Sequence, residues 1–221
     1  MLKIEHFPHA FYDSKARHGY LAYYYPSSAL RDGVLSEENW RYESYSPEIL
    51  NYKEGRDHDI RRFVEPFLKL IRHSIAAEKV DAGYLVPVPS SIAANDPKFS
   101  SQPRKKGLPD SRNRDNRNSV FCSFLSSIDG KLRLVDVLVR TSPKPEKANW
   151  TATQQAGSME LQGIGTLPQG RTAIVLVDDV TTGSDTLAGA RLVLEKAYPQ
   201  AIAVTLAIGC TKAPQQFMSL S

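Results

Sequence analysis

The chain has 221 residues, 41% hydrophobic and 24% charged, with a formal net charge of +4. These values fit one sizeable globular unit and exclude global disorder, and no apolar run is long enough to span a membrane. Cys122 and Cys210 are too few for a disulfide framework or a four-ligand zinc site, and the opening Met1-Leu2-Lys3-Ile4-Glu5-His6 lacks the apolar core of a signal peptide. A cytoplasmic protein is therefore expected.

Residues 1–55 are rich in tyrosine and turn formers, with Tyr20-Leu21-Ala22-Tyr23-Tyr24-Tyr25 reading as a strand closed by Pro26-Ser27-Ser28. Its rings either pack an edge strand or offer a base-stacking surface. From Asp57 to Ala77, apolar residues at Ile60, Phe63, Val64, Phe67, Leu68, Ile71 and Ile75 follow helical spacing. Pro66 interrupts that pattern, so either one helix kinks or a second begins near Glu65. Gly83-Tyr84-Leu85-Val86-Pro87-Val88-Pro89-Ser90-Ser91 reads as a buried strand breaking into a rigid, hydroxyl-bearing turn, the kind of backbone array that suits a compact dianion.

Residues 92–118 carry seven basic side chains (Lys98, Arg104, Lys105, Lys106, Arg112, Arg114, Arg117) against three acids (Asp96, Asp110, Asp115), which is +4, so the rest of the chain is formally neutral. Such a concentrated patch points to an anionic partner, single-stranded nucleic acid among them, or to a solvated surface. Asn118 or Ser119 is placed to cap a helix through Val120, Phe121, Phe124, Leu125 and Ile128, which ends at Asp129-Gly130. Leu132 to Val139 reads as the next strand, with Arg140-Thr141 at its end, and Thr141 to Gly170 reads as a long irregular loop.

The most informative stretch is Ala173 to Leu187. Five apolar residues, several β-branched, run into Asp178-Asp179, then into the hydroxyl-rich Val180-Thr181-Thr182-Gly183-Ser184-Asp185-Thr186 and an apolar-periodic helix through Leu194. Tyr198-Pro199 stops that helix before a last strand over Ala201 to Ile208. Alternating strands and helices predict βαβ units in a parallel sheet, whose ligands gather outside the carboxyl ends of the strands. Acids beside a helix N-terminus suit a sugar phosphate, with hydroxyls at the carboxylates and the anion at the free backbone N–H groups.

These residues resemble the type I phosphoribosyltransferases, most closely their competence protein F (ComF)-like branch, over about Tyr45 to Gly209. Val175 to Thr182, with Gly183, Thr186 and Leu187, resembles the loop that binds phosphoribosyl pyrophosphate (PRPP), and Val86-Pro87-Val88-Pro89 resembles the pyrophosphate strand. Ile49 to Asp57 is similar to a lysine- and glycine-containing segment of that branch, and Arg112 to Asn118 to its arginine-rich stretch. The branch's zinc ribbon is missing, and the family's loop glycine aligns with Ser184, one position after Gly183.

The resemblance implies a Rossmann-like parallel sheet flanked by helices, with a hood lobe and leading helix over residues 1–80 and a core over 81–221. It implies an enzyme that uses PRPP and Mg²⁺ to transfer a phosphoribosyl group to a nitrogen acceptor, base or amine, releasing pyrophosphate. Asp178 and Asp179 would be catalytic, meeting the ribose hydroxyls and, through PRPP, the Mg²⁺. Thr181, Thr182, Gly183, Ser184, Asp185 and Thr186 would cradle the 5′-phosphate. Val88, Pro89, Ser90 and Arg140 would meet pyrophosphate, and Thr141 to Gly170 would be the loop that closes over the ligand. The alternative is a catalytically silent PRPP- or nucleotide-binding protein that assists DNA uptake or handling through residues 92–118. No membrane partner is expected, and a homodimer is left open.

Overall fold

A computed structural model describes residues 2–27, 31, 33, 36–42, 45–91, 116–142, 149–162, 172–183 and 185–211. Two short strands, β1 (Phe11–Asp13) and β2 (His18–Tyr24), are followed by helices α1 (Glu37–Tyr42), α2 (Ser46–Lys53), α3 (Asp57–Arg62) and α4 (Val64–Ala77). Next come β3 (Gly83–Pro87), α5 (Arg117–Ile128), β4 (Leu132–Leu134), β5 (Leu138–Arg140), α6 (Ala152–Gly157) and β6 (Met159–Leu161). The chain ends its described part with β7 (Ala173–Thr181), α7 (Asp185–Ala197) and β8 (Ile202–Thr211).

The main sheet has the order β1-β2-β8-β7-β3-β4, parallel throughout except for the β1-β2 pair. It is the α/β sheet expected from the sequence, with β3-α5-β4 and β7-α7-β8 as its crossovers. Centrally placed, β7 is buried at all but one of its positions, which is why its sequence is a continuous apolar run rather than an alternating one. Its two faces meet different cores. Val175 and Val177 join a cluster with Ile49, Tyr52, Phe63, Phe67, Ile71 and Phe121 from α2, the α3–α4 junction, α4 and α5. Ile174 and Leu176 join Val86, Leu138, Met159, Leu187, Ala190 and Leu194 on the α6 and α7 side.

Several sequence readings are sharpened or corrected by this arrangement. The helical pattern over 57–77 is two helices, with the second starting at Val64 so that Pro66 falls in its first turn, where a missing N–H does no harm. The expected strand from Leu132 to Val139 is two strands. β4 extends the main sheet, whereas β5 turns away and pairs antiparallel with β6. The segment 141–170 is not one irregular loop either, because 149–162 contains α6 and β6. Thr151 and Gln154 form a capping box at the start of α6. Gly189 of α7 lies so close to α6 that a Cβ there would stand 2.5 Å from Gln155 Cβ and 2.7 Å from the Ala152 carbonyl oxygen. That packing fixes α6 against the core. On the other edge β2 pairs with β8, and one core cluster runs from Phe7 to Ile208. No helix among the described residues is long and apolar enough to cross a membrane.

Candidate functional site

Strand order reverses between β3 and β7, since β3 leads through α5 to β4 on one side and β7 leads through α7 to β8 on the other. The carboxyl ends of β3 and β7 therefore diverge into a crevice, the place where α/β sheets bind ligands. A cavity of about 320 Å³ occupies it, lined by Lys53, Pro89, Ser90, Ser91, Arg117, Asn118, Arg140, Asp178, Asp179, Val180, Thr182 and Thr186.

The two acids meet different partners. Arg117, in the first turn of α5, donates to Asp179 Oδ2 from Nε at 2.9 Å and from Nη2 at 2.5 Å. Lys53, at the end of α2, puts its ammonium 3.8 Å from the same oxygen and 5.0 Å from the centre of the Tyr24 ring. Asp179 Oδ1 accepts the Val180 N–H at 2.7 Å. Asp178 Oδ1 instead accepts the Asp179 N–H at 2.8 Å and the Asn118 side-chain amide at 3.2 Å. That amide also donates to the Val88 carbonyl at 3.0 Å, while Asn118 Oδ1 accepts the Tyr52 hydroxyl at 3.2 Å. One asparagine thus ties α2, the turn after β3 and the end of β7 together.

Protonation follows from these surroundings. Burial, and then the neighbouring Asp179 charge, push the Asp178 carboxyl up to about 7. Burial would raise Asp179 too, but Arg117, Lys53 and the hydrogen bonds together outweigh it and hold Asp179 down at about 2. Arg140, on the opposite wall, is only 2% exposed. Its guanidinium donates to the Ser90 carbonyl at 2.7 Å, to Ser158 Oγ at 2.6 Å and to Gln155 Oε1 at 3.3 Å. Burial lowers its pKa, against the pull of Asp178.

Of the residues singled out in the sequence, Asp178, Asp179, Pro89, Ser90, Arg140, Thr182 and Thr186 line the cavity together. Val88 and Thr181 do not. Val88 is buried with its N–H on the Val177 carbonyl, and Thr181 is a buried residue at the end of β7. Gly183 is exposed with φ of +68°, in the left-handed region that glycine favours. Asp185 opens α7. Ser184 and the basic residues Lys98 to Arg114 lie outside the described residues. The expected closing loop over 141–170 is, in its described part 149–162, packed structure, with Gln155 and Met159 buried.

Lys53 and Asn118 enter the site without having been assigned to it, whereas Arg117 belongs to the basic run expected to meet an anion and Ser91 to the hydroxyl-bearing turn expected to suit one. Asn118 was read as a cap for α5, yet Asn116 precedes that helix and the Asn118 amide turns to the cavity. A signal for Arg117 lay in the sequence as the last cation of the basic run before an apolar-periodic helix. Among the described residues, no group of three or more His, Cys, Asp or Glu side chains is placed to hold a metal ion.

The arrangement defines an α/β protein with a polar, charge-lined crevice at the switch point of its sheet. No family model matches the chain, and no curated protein matches it. Two solved structures similar to it are both adenine phosphoribosyltransferases. One, from Saccharomyces cerevisiae and complexed with D-2,5-dideoxy-2,5-imino-altritol 1,6-bisphosphate and adenine, is 16% identical, with 74% of this chain and 73% of that chain covered and a TM-score of 0.42. The other is 16% identical over 74% of this chain and 76% of its own, with a TM-score of 0.43.

Proposed function

We propose that the crevice binds PRPP with Mg²⁺ and transfers its phosphoribosyl group to a nitrogen acceptor, a base or an amine, releasing pyrophosphate. The observation that carries this reading is the meeting, in one cavity, of the acidic pair, Thr182 ahead of α7 with Thr186 in its first turn, and the Pro89-Ser90-Ser91 turn. In this reading Asp178 and Asp179 meet the ribose hydroxyls, the loop from Thr182 to Thr186 meets the 5′-phosphate at the start of α7, and Pro89, Ser90 and Arg140 face the pyrophosphate.

The nitrogen lone pair forms the new bond to ribose C1 as the C1–O bond breaks. Pyrophosphate leaves with the electron pair, and the nitrogen releases its proton to water. Charge grows on the departing pyrophosphate, so fixed cations and N–H donors on that side give the largest help. Two carboxylates with no third His, Cys, Asp or Glu beside them among the described residues do not suit a resident metal ion. They do suit an Mg²⁺ that keeps its waters and arrives on substrate phosphates, which needs only one or two carboxylates. Bound in that way, Mg²⁺ would neutralise charge on the leaving group.

A second reading is favoured by one observation: Asp179 already holds Arg117 and Lys53. A silent PRPP- or nucleotide-binding protein, assisting DNA handling through residues 92–118, has no need to release that acid. Calorimetric titration of PRPP with Mg²⁺ into the wild type and into Asp178→Asn, which leaves the Asp179 ion pair in place, tests the first reading. Binding by the wild type and its loss in the variant are expected, and equal binding by both overturns it. Binding without pyrophosphate release across a panel of bases and amines moves the assignment to the second.

A further inference from the structure

We propose that Arg117 and Lys53 form a receptor for a pyrophosphate-class anion, and that Asp179 occupies this receptor in the ligand-free protein. The two cations come from different elements, α5 and α2, yet both converge on a single oxygen, Asp179 Oδ2. Both line the cavity. Arg117 is largely enclosed, with its side chain 15% exposed, while Lys53 keeps 31% of its side chain exposed.

A guanidinium presents a planar fork of donors that fits phosphate oxygens as well as it fits a carboxylate. Asp179 offers that fork one oxygen, because its other oxygen is committed to the Val180 N–H. A pyrophosphate brings more oxygens and more charge to the same place. The anion therefore replaces the carboxylate at Arg117 and Lys53, and the displaced Asp179 turns to the hydroxyl side of the ligand. No covalent bond is made or broken in the exchange.

Arg140 differs, since its guanidinium donates to a carbonyl, a hydroxyl and a side-chain amide rather than to a carboxylate. The proposal rests on the PRPP reading only for the source of the anion. Free pyrophosphate and the pyrophosphate of PRPP share the chemistry that the receptor recognises.

Metal-free inorganic pyrophosphate, titrated into the full chain, separates these ideas. With Asp179 neutralised, the receptor stands open, so Asp179→Asn is expected to bind pyrophosphate about tenfold tighter than the wild type. Asp179→Asn/Arg117→Gln is expected to lose that gain. Lys53→Met, which leaves the Arg117 pair in place, is expected to bind about threefold more weakly than the wild type. Asp179→Asn binding no tighter than the wild type, or the double variant keeping the gain, overturns the proposal. Should Asp179→Asn fail to fold, the Lys53→Met titration decides, and an unchanged affinity there overturns it. PRPP with Mg²⁺ is the separate arm: PRPP that does not bind, with the pyrophosphate pattern intact, removes the phosphoribosyl reading and leaves the receptor standing.

Discussion

Asp178 and Asp179 are neighbours in sequence, but the alternation of β7 directs them to the two faces of the sheet, and the faces treat them differently. Asp179 follows Val175 and Val177 toward the side packed by α2 and α5, where it finds two cations. Asp178 follows Ile174 and Leu176 toward the side packed by α6 and α7, and its bonded partners are neutral N–H groups. One carboxylate is consequently an ion-pair member at about 2, and the other titrates near neutrality at about 7. A strand that ends in two identical side chains has become a site with two chemically distinct positions, because one carboxylate meets cations and the other meets neutral donors.

Breaking the charged side gives the largest expected effect. Asp179→Asn removes the carboxylate that meets the enclosed Arg117 guanidinium, and removing one partner of a buried ion pair destabilises by about 3–5 kcal/mol. Urea unfolding at pH 7 checks this, and a change below about 1 kcal/mol means that solvent screens the pair as it does on a surface. Pyrophosphate in the buffer should restore part of the loss, because a ligand that binds only the folded state stabilises it.

An effect of opposite sign is expected on the neutral side. The Asp178 carboxyl is raised from 3.8 to about 7, so between those pH values the folded protein holds a proton that the unfolded chain has released. Asp178 therefore lowers stability as pH rises through that window. Asp178→Asn should have a higher Tm than the wild type at pH 8, and the gap should close as pH falls from 7 toward 4. Asp179 has the reverse sign: its contribution is present above 3.8 and fades as pH falls toward 2. A Tm difference that does not vary with pH would show that Asp178 is not the group titrating in this range.

Much of this was legible in the chain. The apolar run into Asp178-Asp179, the proline-bounded turn at 87–91 and the helix patterns all reflect local rules, and each lies where the local rule puts it. The partners of the acids were not legible, because Lys53 and Arg117 reach Asp179 across 126 and 62 residues, through packing of helices on one sheet face. Nothing in Ile49 to Asp57 says that α2 will end over the carboxyl end of β7. The break between β4 and β5 was hidden for a related reason. Leu132 to Val139 is apolar enough for one strand, and only the pairing of β5 with β6 draws the chain away from the main sheet. By contrast, Thr151-x-x-Gln154 was a local helix signal that the irregular look of 141–170 obscured.

The link between the two sides is Asn118, and its own anchor supplies the smallest effect. Tyr52 is fully buried, and its ring packs edge-on against Phe121 at 5.5 Å and Phe63 at 5.9 Å. Tyr52→Phe keeps those ring contacts and removes only the donor to Asn118 Oδ1, which leaves a buried acceptor unpaired at a cost of about 1 kcal/mol. Asn118 Nδ2 still has Val88 and Asp178 to hold it, so the amide should stay in place and pyrophosphate affinity should change by less than about twofold. A loss near tenfold would mean that the Tyr52 hydroxyl, rather than the pairing of Asn118 with Val88 and Asp178, sets the position of α5. Arg117 would then depend on α2 twice, through Lys53 beside it and through Tyr52 beneath it.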